Sequence, residues 1–408
     1  MRNGANRSSQ SPQDDDLLKG LFEPVKHTSR DRKRFQPWHL PRKQYVRKLQ
    51  WDRRVGDLLN KVKPLVEKTK QINYLGLAER DLLDLRVISD RCLRDGVSIR
   101  FLGFDSSAVP NSPARDALDE TMHRLITEQR LDASSTVEHN RIEQIANPRS
   151  VAHRRLREYG PFDVVNIDLC DSIGTHSPGS EESYYNAILA ILDMQQTRRE
   201  PWLLFITTRA DLQAVDKDAL GTFWGKLLEN VKHDQIFAKE FSEGIGVCRG
   251  ELFSQLQDAH DVADDLFPKA YAAAFSKWLM HFSAAELHVP LKVRTKDAYA
   301  YSVRGNGSLD LFSISYLMTP APKGLHDSSG LATNVSSGQS DSGGIDEQDL
   351  ARAIAEVVVR PCDVEKELSE DSVAYEKSSS QTRDLLVEAG YSGEEFDRWL
   401  ETGGAKEA

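Results

Sequence analysis

The chain has 408 residues, of which 39% are hydrophobic and 28% are charged. This composition is typical of a folded globular protein and excludes fibrous, collagen-like and wholly disordered chains. No apolar run approaches the roughly 18 residues that a membrane-spanning helix needs, so the sequence predicts no transmembrane segment. The net charge of −10 excludes a protein that coats nucleic acid through overall basicity.

The charge is distributed unevenly along the chain. Residues 1–54 contain 14 basic and 6 acidic residues, a net charge of +8, whereas residues 55–323 carry −6 and residues 324–408 carry −12. The basic end predicts an arm for an anionic partner, and the acidic end predicts a tail for solubility, autoinhibition or a protein partner. The alternative is that both ends are merely solvated termini.

Two further features concern the cellular compartment. Met1–Gln13 lacks the apolar stretch of a secretory signal, which predicts a cytoplasmic protein. The four cysteines are isolated from one another along the chain, so we expect reduced thiols and no metal site. They are Cys92, Cys170, Cys248 and Cys362.

The N-terminal 71 residues divide into two predicted parts. Residues 1–34 are polar and predict a disordered arm. Residues 35–71 begin with alternating aromatic and basic residues and lead into an amphipathic helix from about Arg42 to Val66. We expect this segment to contact nucleic acid, with basic side chains on phosphates and aromatic rings stacked on bases. The candidate residues are Arg42, Lys43, Arg47, Lys48, Trp38 and Trp51.

From residue 72 to residue 323, short apolar strands alternate with helical segments. This pattern predicts an α/β domain with a doubly wound, mostly parallel sheet. The predicted strands are Ile72–Leu75, Val97–Phe104, Thr136–Asn140, Asp163–Leu169, Trp202–Thr207, Leu291–Val303 and Leu309–Leu317. The predicted helices are Asp81–Arg94, Ala114–Glu128, Ser150–Tyr159, Ser183–Gln196 and Asp216–Val231. Glycines within residues 304–308 predict an antiparallel hairpin between the last two strands.

The C-terminal part also divides in two. Residues 324–347 are rich in Ser and Gly and predict a flexible linker. Residues 348–408 predict an acidic tail of short helices that is too small to be stable alone, so we expect it to dock on another surface.

Candidate functional residues follow the predicted strands, because ligands of doubly wound sheets bind at the carboxyl ends of the strands. Gly76 ends the first strand, where the backbone can approach a ligand. Asp105 ends the second strand and can accept the two hydroxyls of a ribose, although it can equally cap the following turn.

The fourth predicted strand ends in polar residues that are costly to bury without partners. Asn166, Asp168 and Asp171 are therefore the candidate catalytic residues. The alternative for Asp168 is a structural ion pair with Arg209, at the end of the fifth strand. His39 and His176 stand in no nucleophile or metal spacing and are predicted to be surface or capping residues.

Together these strand ends resemble class I S-adenosylmethionine-dependent methyltransferases. Tyr74–Leu77, Phe104-Asp105 and Phe162–Leu169 are most similar to the tRNA guanine-N2 dimethyltransferase branch. The resemblance implies a Rossmann-like methyltransferase fold, S-adenosylmethionine as cofactor, and an activity on nucleic acid.

The resemblance also implies a role for each matching residue. Gly76 would face the methionine end of the cofactor, and Asp105 would hold the ribose. Glu143, after the third strand, would lie near the adenine. Asp168 would be nearest to the transferred methyl group.

The sequence departs from the family pattern in two places. Ala78-Glu79-Arg80 follows Gly76 where the family has further glycines, and Leu169-Cys170 stands where the family has proline after the acidic residue. These departures favour a second reading, a catalytically inactive adaptor or subunit that keeps the fold for assembly. A third reading, an NAD-linked oxidoreductase, lacks the glycines that bind pyrophosphate.

One further observation favours the adaptor reading. The run Pro37–Gln44 resembles uncharacterised bacterial proteins from mobile-element or antiviral-defence gene clusters. This resemblance implies a subunit of a bacterial multi-protein complex, with the acidic tail as the surface for protein partners.

Overall fold

The computed structural model describes residues 33–175, 181–303, 309–321 and 347–404. Several predictions from the sequence fall outside these residues. They are nearly all of the arm at residues 1–34, His176, the hairpin turn at residues 304–308 and nearly all of the linker at residues 324–347.

Within the described residues, eight strands form a single sheet in the order β3-β2-β1-β4-β5-β7-β6-β8. β7 runs antiparallel to β5 and β6, and the other neighbouring strands are parallel. The predicted Rossmann-like methyltransferase fold, with its parallel strands and final antiparallel hairpin, is therefore confirmed. The strands are β1 (Gln71–Leu77), β2 (Ser98–Phe104), β3 (Thr136–Glu138), β4 (Val164–Asp168), β5 (Trp202–Arg209), β6 (Leu291–Tyr301), β7 (Leu311–Pro320) and β8 (Cys362–Asp363).

Helices cover both faces of the sheet. On one face lie α1 (Pro41–Val46), α2 (Arg53–Lys61), α3 (Lys63–Thr69), α4 (Leu83–Arg94), α5 (Pro113–Thr127) and α13 (Val364–Glu370). On the other face lie α6 (Val151–Tyr159), α7 (Tyr184–Gln195), α8 (Lys217–His233), α9 (Gln235–Ile245), α10 (Arg249–Leu256), α11 (Phe267–His281) and α12 (Glu347–Val357). The last two helices, α14 (Ser372–Glu388) and α15 (Gly393–Glu401), pack around α1 and α4.

The central strands are buried on both faces, which explains why their sequences are almost continuously apolar. In β4, the side chains of Val165 and Ile167 enter the core beneath α7, while Val164 faces the opposite core beneath the N-terminal helices. The polar residues of β4 follow at its carboxyl end, near the ends of the neighbouring strands β1 and β5.

The amphipathic helix predicted from Arg42 to Val66 forms with one irregularity. A π-helical turn over Arg47–Asp52 joins α1 to α2 and accommodates an additional residue. Because the turn shifts the helical register, Trp51 is fully buried whereas the apolar Leu49 is 38% exposed.

The predicted C-terminal tail is divided between two places in the structure. α12 packs against α9 and α11, and Ile354 and Val358 enter the main core there. β8 then pairs with β6 at the edge of the sheet, and α13, α14 and α15 follow on the side of the N-terminal helices.

Three helices between β5 and β6 are absent from the sequence prediction. They are α9, α10 and α11, and the sequence carries signals for the first of them. The side chain of Asp234 accepts hydrogen bonds from the first backbone N–H groups of α9, and Gly246 ends α9 with a positive φ of 80°.

No helix in the described ranges combines the length and the apolar character that a bilayer crossing needs.

Candidate functional site

A cavity of about 200 Å³ opens at the carboxyl ends of β1, β2 and β3. Two of the three predicted cofactor residues, Asp105 and Glu143, are in its wall, and the third, Gly76, directly precedes the wall residue Leu77. We call this space the Asp105 cavity. It is lined by Leu77, Ala78, Phe104, Asp105, Ser106, Asn140, Arg141, Ile142, Glu143 and Tyr184.

Asp105 is held by the turn that follows β2. Its Oδ1 accepts hydrogen bonds from the backbone N–H of Ser107 at 2.8 Å and from the Ser107 hydroxyl at 2.7 Å. The carboxylate thus caps the turn and also lines the cavity, so the two roles considered from the sequence coexist. Oδ1 is committed to the turn, and Oδ2 is the oxygen left for a ligand hydroxyl.

Glu143 is buried on the opposite wall, in the short 3₁₀ helix Ile142–Ala146. The guanidinium of Arg141 donates to Oε1 of Glu143 through Nε at 3.1 Å and also through Nη2. Burial and the nearby Glu143 raise the pKa of Tyr184, which hydrogen-bonds to Glu143, to about 12. These two contacts fix the carboxylate of Glu143 in the cavity wall.

Gly76 is required by the packing between β1 and β4. A Cβ atom at this position would lie 2.9 Å from Cε1 of Tyr74 and 3.2 Å from the carbonyl oxygen of Asn166. The buried amide of Asn166 donates a hydrogen bond of 3.0 Å to the Tyr74 hydroxyl. The amide nitrogen of Asn166, predicted as catalytic, is therefore engaged by Tyr74, whereas its buried Oδ1 accepts no hydrogen bond from the described residues.

Asp168, at the end of β4, forms an ion pair with a residue of the N-terminal helix. Its Oδ1 lies 2.5 Å from Nζ of Lys43. The alternative partner considered from the sequence, Arg209, does not form an ion pair with it. Nζ of Lys43 also lies 3.4 Å from the Tyr301 hydroxyl and 4.6 Å from the ring centroid of Trp51.

The electrostatics of this pair follow from burial. Burial alone would lower the pKa of Lys43, but the Asp168 carboxylate and the Tyr301 hydroxyl raise the pKa above its usual value. Lys43 is therefore charged at neutral pH. Any base function of Asp168 would require the ammonium group of Lys43 to move away.

Asp171 lies in the turn after β4. Its Oδ1 accepts the backbone N–H of Ser172 at 2.8 Å, and its carbonyl oxygen accepts the backbone N–H of Arg209 at 3.0 Å. Asp171 therefore ties the ends of β4 and β5 together beside Asp168.

Glu79 occupies the N-terminus of α4, which is where doubly wound sheets bind the anionic part of a ligand. Its carboxylate accepts the backbone N–H of Leu83 at 2.6 Å and that of Asp81 at 3.0 Å. Burial and the neighbouring Asp81 raise the pKa of Glu79 to about 7. Glu79 departs from the glycines of the family pattern, and its carboxylate uses backbone donors that an anionic ligand would need.

Most of the predicted nucleic-acid residues make contacts inside the chain. Arg42 pairs with Glu365 at 3.0 Å, Arg47 pairs with Asp84 at 2.6 Å, and Lys48 pairs with Asp52 at 3.7 Å. Lys43 and Trp51 are buried as described above, so Trp51 has no face available for a base. Trp38 is 37% exposed.

His39 is buried, in contrast to the surface position predicted for it. Its Nδ1 accepts the backbone N–H of Gln36 at 3.1 Å, so the capping role is present. Burial and the nearby Arg47 lower the pKa of His39 to about 3, so the ring is neutral.

The C-terminal helices cover the loop that carries Glu79. The Tyr391 hydroxyl donates a hydrogen bond of 2.7 Å to Asp81, and the ring of Trp399 stacks on Phe35 with a centroid distance of 5.1 Å. The sequence predicted that these helices dock on another surface but gave no signal for which one, because the contacts join residues far apart in the chain.

The cavity fits the nucleoside part of S-adenosylmethionine better than its amino-acid part. Asp105 and Glu143 present carboxylate oxygens across a space at the strand ends, which suits a ligand that carries hydroxyl and amine donors. The helix N-terminus that would receive a carboxylate is already capped by Glu79.

No curated protein matches the chain. Among solved structures, the plantazolicin methyltransferase BpumL in complex with SAH is 13% identical, with a TM-score of 0.31 over 68% of this chain and 86% of that one. The CurJ carbon methyltransferase is 10% identical, with a TM-score of 0.31 over 70% of this chain and 61% of that one. Scores this low establish no relation by themselves, and the fold rests on the strand order. The family model described as PP_RS20740-like matches residues 32–401, and the chain therefore belongs to the PP_RS20740-like family.

Proposed function

We propose that the protein is an S-adenosylmethionine-dependent methyltransferase that acts on nucleic acid. The observation that carries this proposal is the Asp105 cavity, which lies at the carboxyl ends of β1, β2 and β3 and brings together the separately predicted residues Asp105 and Glu143. When bound, S-adenosylmethionine would supply an electrophilic methyl group. The finer resemblance suggests the exocyclic amine of a guanine in tRNA as the acceptor.

Each residue has a defined task in this proposal. Oδ2 of Asp105 accepts a ribose hydroxyl, while Ser107 holds Oδ1 and so fixes the carboxylate. Glu143, oriented by Arg141 and Tyr184, accepts a hydrogen bond from the adenine amine. Asp168 lies nearest to the acceptor and is released for proton transfer only when Lys43 withdraws.

A second candidate function is favoured by the ion pair between Lys43 and Asp168. A carboxylate neutralised by a buried lysine has no free charge to offer a substrate, and Glu79 occupies the donors of α4. Both contacts suit a protein that keeps the fold to hold partner proteins and performs no catalysis.

Isothermal titration calorimetry with S-adenosylmethionine and S-adenosylhomocysteine tests the proposal. We expect binding to the wild type, weakened at least about tenfold in Asp105→Ala, because a hydrogen bond to a charged group contributes about 1.5–3 kcal/mol. Asp132→Ala is the matched control. Asp132 caps an equivalent turn through the backbone N–H and hydroxyl of Ser134, outside the cavity.

The outcomes separate the two candidate functions. If neither ligand binds the wild type, the methyltransferase proposal is wrong. If both bind but labelled methyl groups are never transferred to tRNA or DNA, the adaptor function is supported. If Asp132→Ala weakens binding as much as Asp105→Ala, the effect comes from turn stability and the assignment of Asp105 fails.

A further inference from the structure

A groove of about 530 Å³ runs along the exposed face of α6. Arg157 lies four positions after His153 and three after Arg154, so it shares a face of the helix with both. Arg149 extends this row just before the helix begins. The groove, which we call the α6 groove, is lined by Pro148, Arg149, Ser150, His153, Arg154, Arg157 and Glu158.

The positive charge of the α6 groove is largely uncompensated. Within the described part of the chain, no ion pair involves Arg149 or Arg157, and both side chains are exposed. Arg154 approaches Glu158 only to 3.9 Å, and both of these side chains are well solvated, so this pair contributes little. Glu158 is engaged more closely by Arg155, at 2.9 Å.

Two hydrogen bonds join the α6 groove to the 3₁₀ helix that forms one wall of the Asp105 cavity. The 3₁₀ helix Ile142–Ala146 supplies Glu143 to the cavity, and the carbonyl oxygen of Ile145 lies 2.8 Å from Nδ1 of His153. The Ser150 hydroxyl donates to the carbonyl oxygen of Gln144 at 2.6 Å. A ligand in the groove would therefore lie next to the wall that holds Glu143.

We propose that the α6 groove binds the phosphate backbone of a nucleic acid and brings it alongside the Asp105 cavity. This inference rests on the proposed function and moves the nucleic-acid surface from the N-terminal segment to α6. Arg149 lies two residues before α6, and residues 151–157 rise about 9 Å along the helix. Because each strand of duplex DNA carries one charge per about 3.4 Å of helix axis, the row meets more than one phosphate.

The lining of the groove also defines the mode of recognition. None of its residues is a Phe, Tyr or Trp on which a base could stack. Guanidinium groups match phosphate oxygens in a two-pronged geometry but carry no sequence information here. We therefore expect binding that is independent of sequence and strongly dependent on salt.

The test is fluorescence anisotropy of labelled RNA and DNA oligonucleotides with the full chain, between about 50 and 200 mM salt. We expect the double variant Arg149→Ala/Arg157→Ala to bind more weakly and to show a salt slope smaller by about 2, one for each lost phosphate contact. The matched control is Lys292→Ala/Arg294→Ala. These exposed residues of β6 carry the same charge change and lie away from the groove.

The proposal is overturned if wild-type protein binds neither oligonucleotide, or if the control variant changes the slope as much as the groove variant. It is also overturned if the groove variant loses affinity for polyglutamate but not for the oligonucleotides, because the surface then recognises acidic protein. Calorimetry with S-adenosylmethionine on the same samples separates the two proposals. If the groove variant lowers the salt slope but S-adenosylmethionine does not bind, the methyltransferase proposal is wrong and the groove proposal stands. If S-adenosylmethionine binds but the groove variant leaves the salt slope unchanged, the groove proposal is wrong.

Discussion

The ion pair between Lys43 and Asp168 should respond unequally to removal of its two partners. The Lys43 side chain is 5% exposed and the Asp168 side chain is 21% exposed. Asp168→Asn leaves a buried ammonium without a counter-charge and should lower the free energy of unfolding by about 3–5 kcal/mol. Lys43→Met keeps most of the packing on Trp51 and leaves a carboxylate that water can reach, so about 1–2 kcal/mol is expected.

The assay is urea denaturation of the wild type, the two single variants and Lys43→Met/Asp168→Leu. The double variant replaces the pair with apolar side chains of similar size and should be close to the wild type in stability. In Asp168→Asn, burial lowers the pKa of Lys43 in the folded state, so the unfolded state binds more protons and stability should rise with pH above neutrality. Equal costs for the two single variants, or a flat pH profile for Asp168→Asn, would refute the reasoning.

Two further predictions concern the cover of the site. Because the pKa of Glu79 is raised from 4.5 to about 7, the folded state binds more protons than the unfolded state in that window, and stability falls as pH rises through it. The free energy of unfolding should fall by up to about 3 kcal/mol over this pH range in the wild type but not in Glu79→Gln. The prediction is wrong if urea denaturation gives the two proteins the same dependence of this free energy on pH. Trp399→Ala removes the ring stacked on Phe35 and should lower the free energy of local unfolding of the C-terminal helices by about 3–5 kcal/mol. Limited proteolysis should then cleave the chain between α12 and α15. An unchanged digestion pattern would show that α15 is held elsewhere.

The strands of the sheet were predictable because burial on both faces imposes an apolar sequence. β4 and β5 are such cases: β4 is one residue shorter than predicted at each end, and β5 begins at the predicted residue and ends two residues later. β8 was not predictable, because two residues carry no periodicity. The π-helical turn at Arg47–Asp52 was missed for another reason: it is determined by the docking of Trp51 and Gln50, and Gln50 donates to the carbonyl oxygen of Ser313 at 2.9 Å.

Residues of the candidate site were predictable only where a polar residue directly follows an apolar strand. Asp105 was found in this way, since an acidic residue after an apolar strand is a local signal. The partner of Asp168 was not found, because Lys43 lies 125 positions earlier and its charge suggested a solvent-exposed arm. Composition shows that a lysine is present, but only the tertiary structure shows that it is buried.

The first described residues of the chain are held in place by residues of the C-terminal helices. Lys33 donates a hydrogen bond of 2.6 Å to the carbonyl oxygen of Ala389, across 356 positions of sequence. During synthesis, β1 to β7 are therefore complete before the residues that fasten the N-terminal segment leave the ribosome. The carboxyl edge of the sheet stays uncovered until the last helices are made, so a nascent or C-terminally truncated chain should present Asp168 without the fastening that holds Lys43 against it.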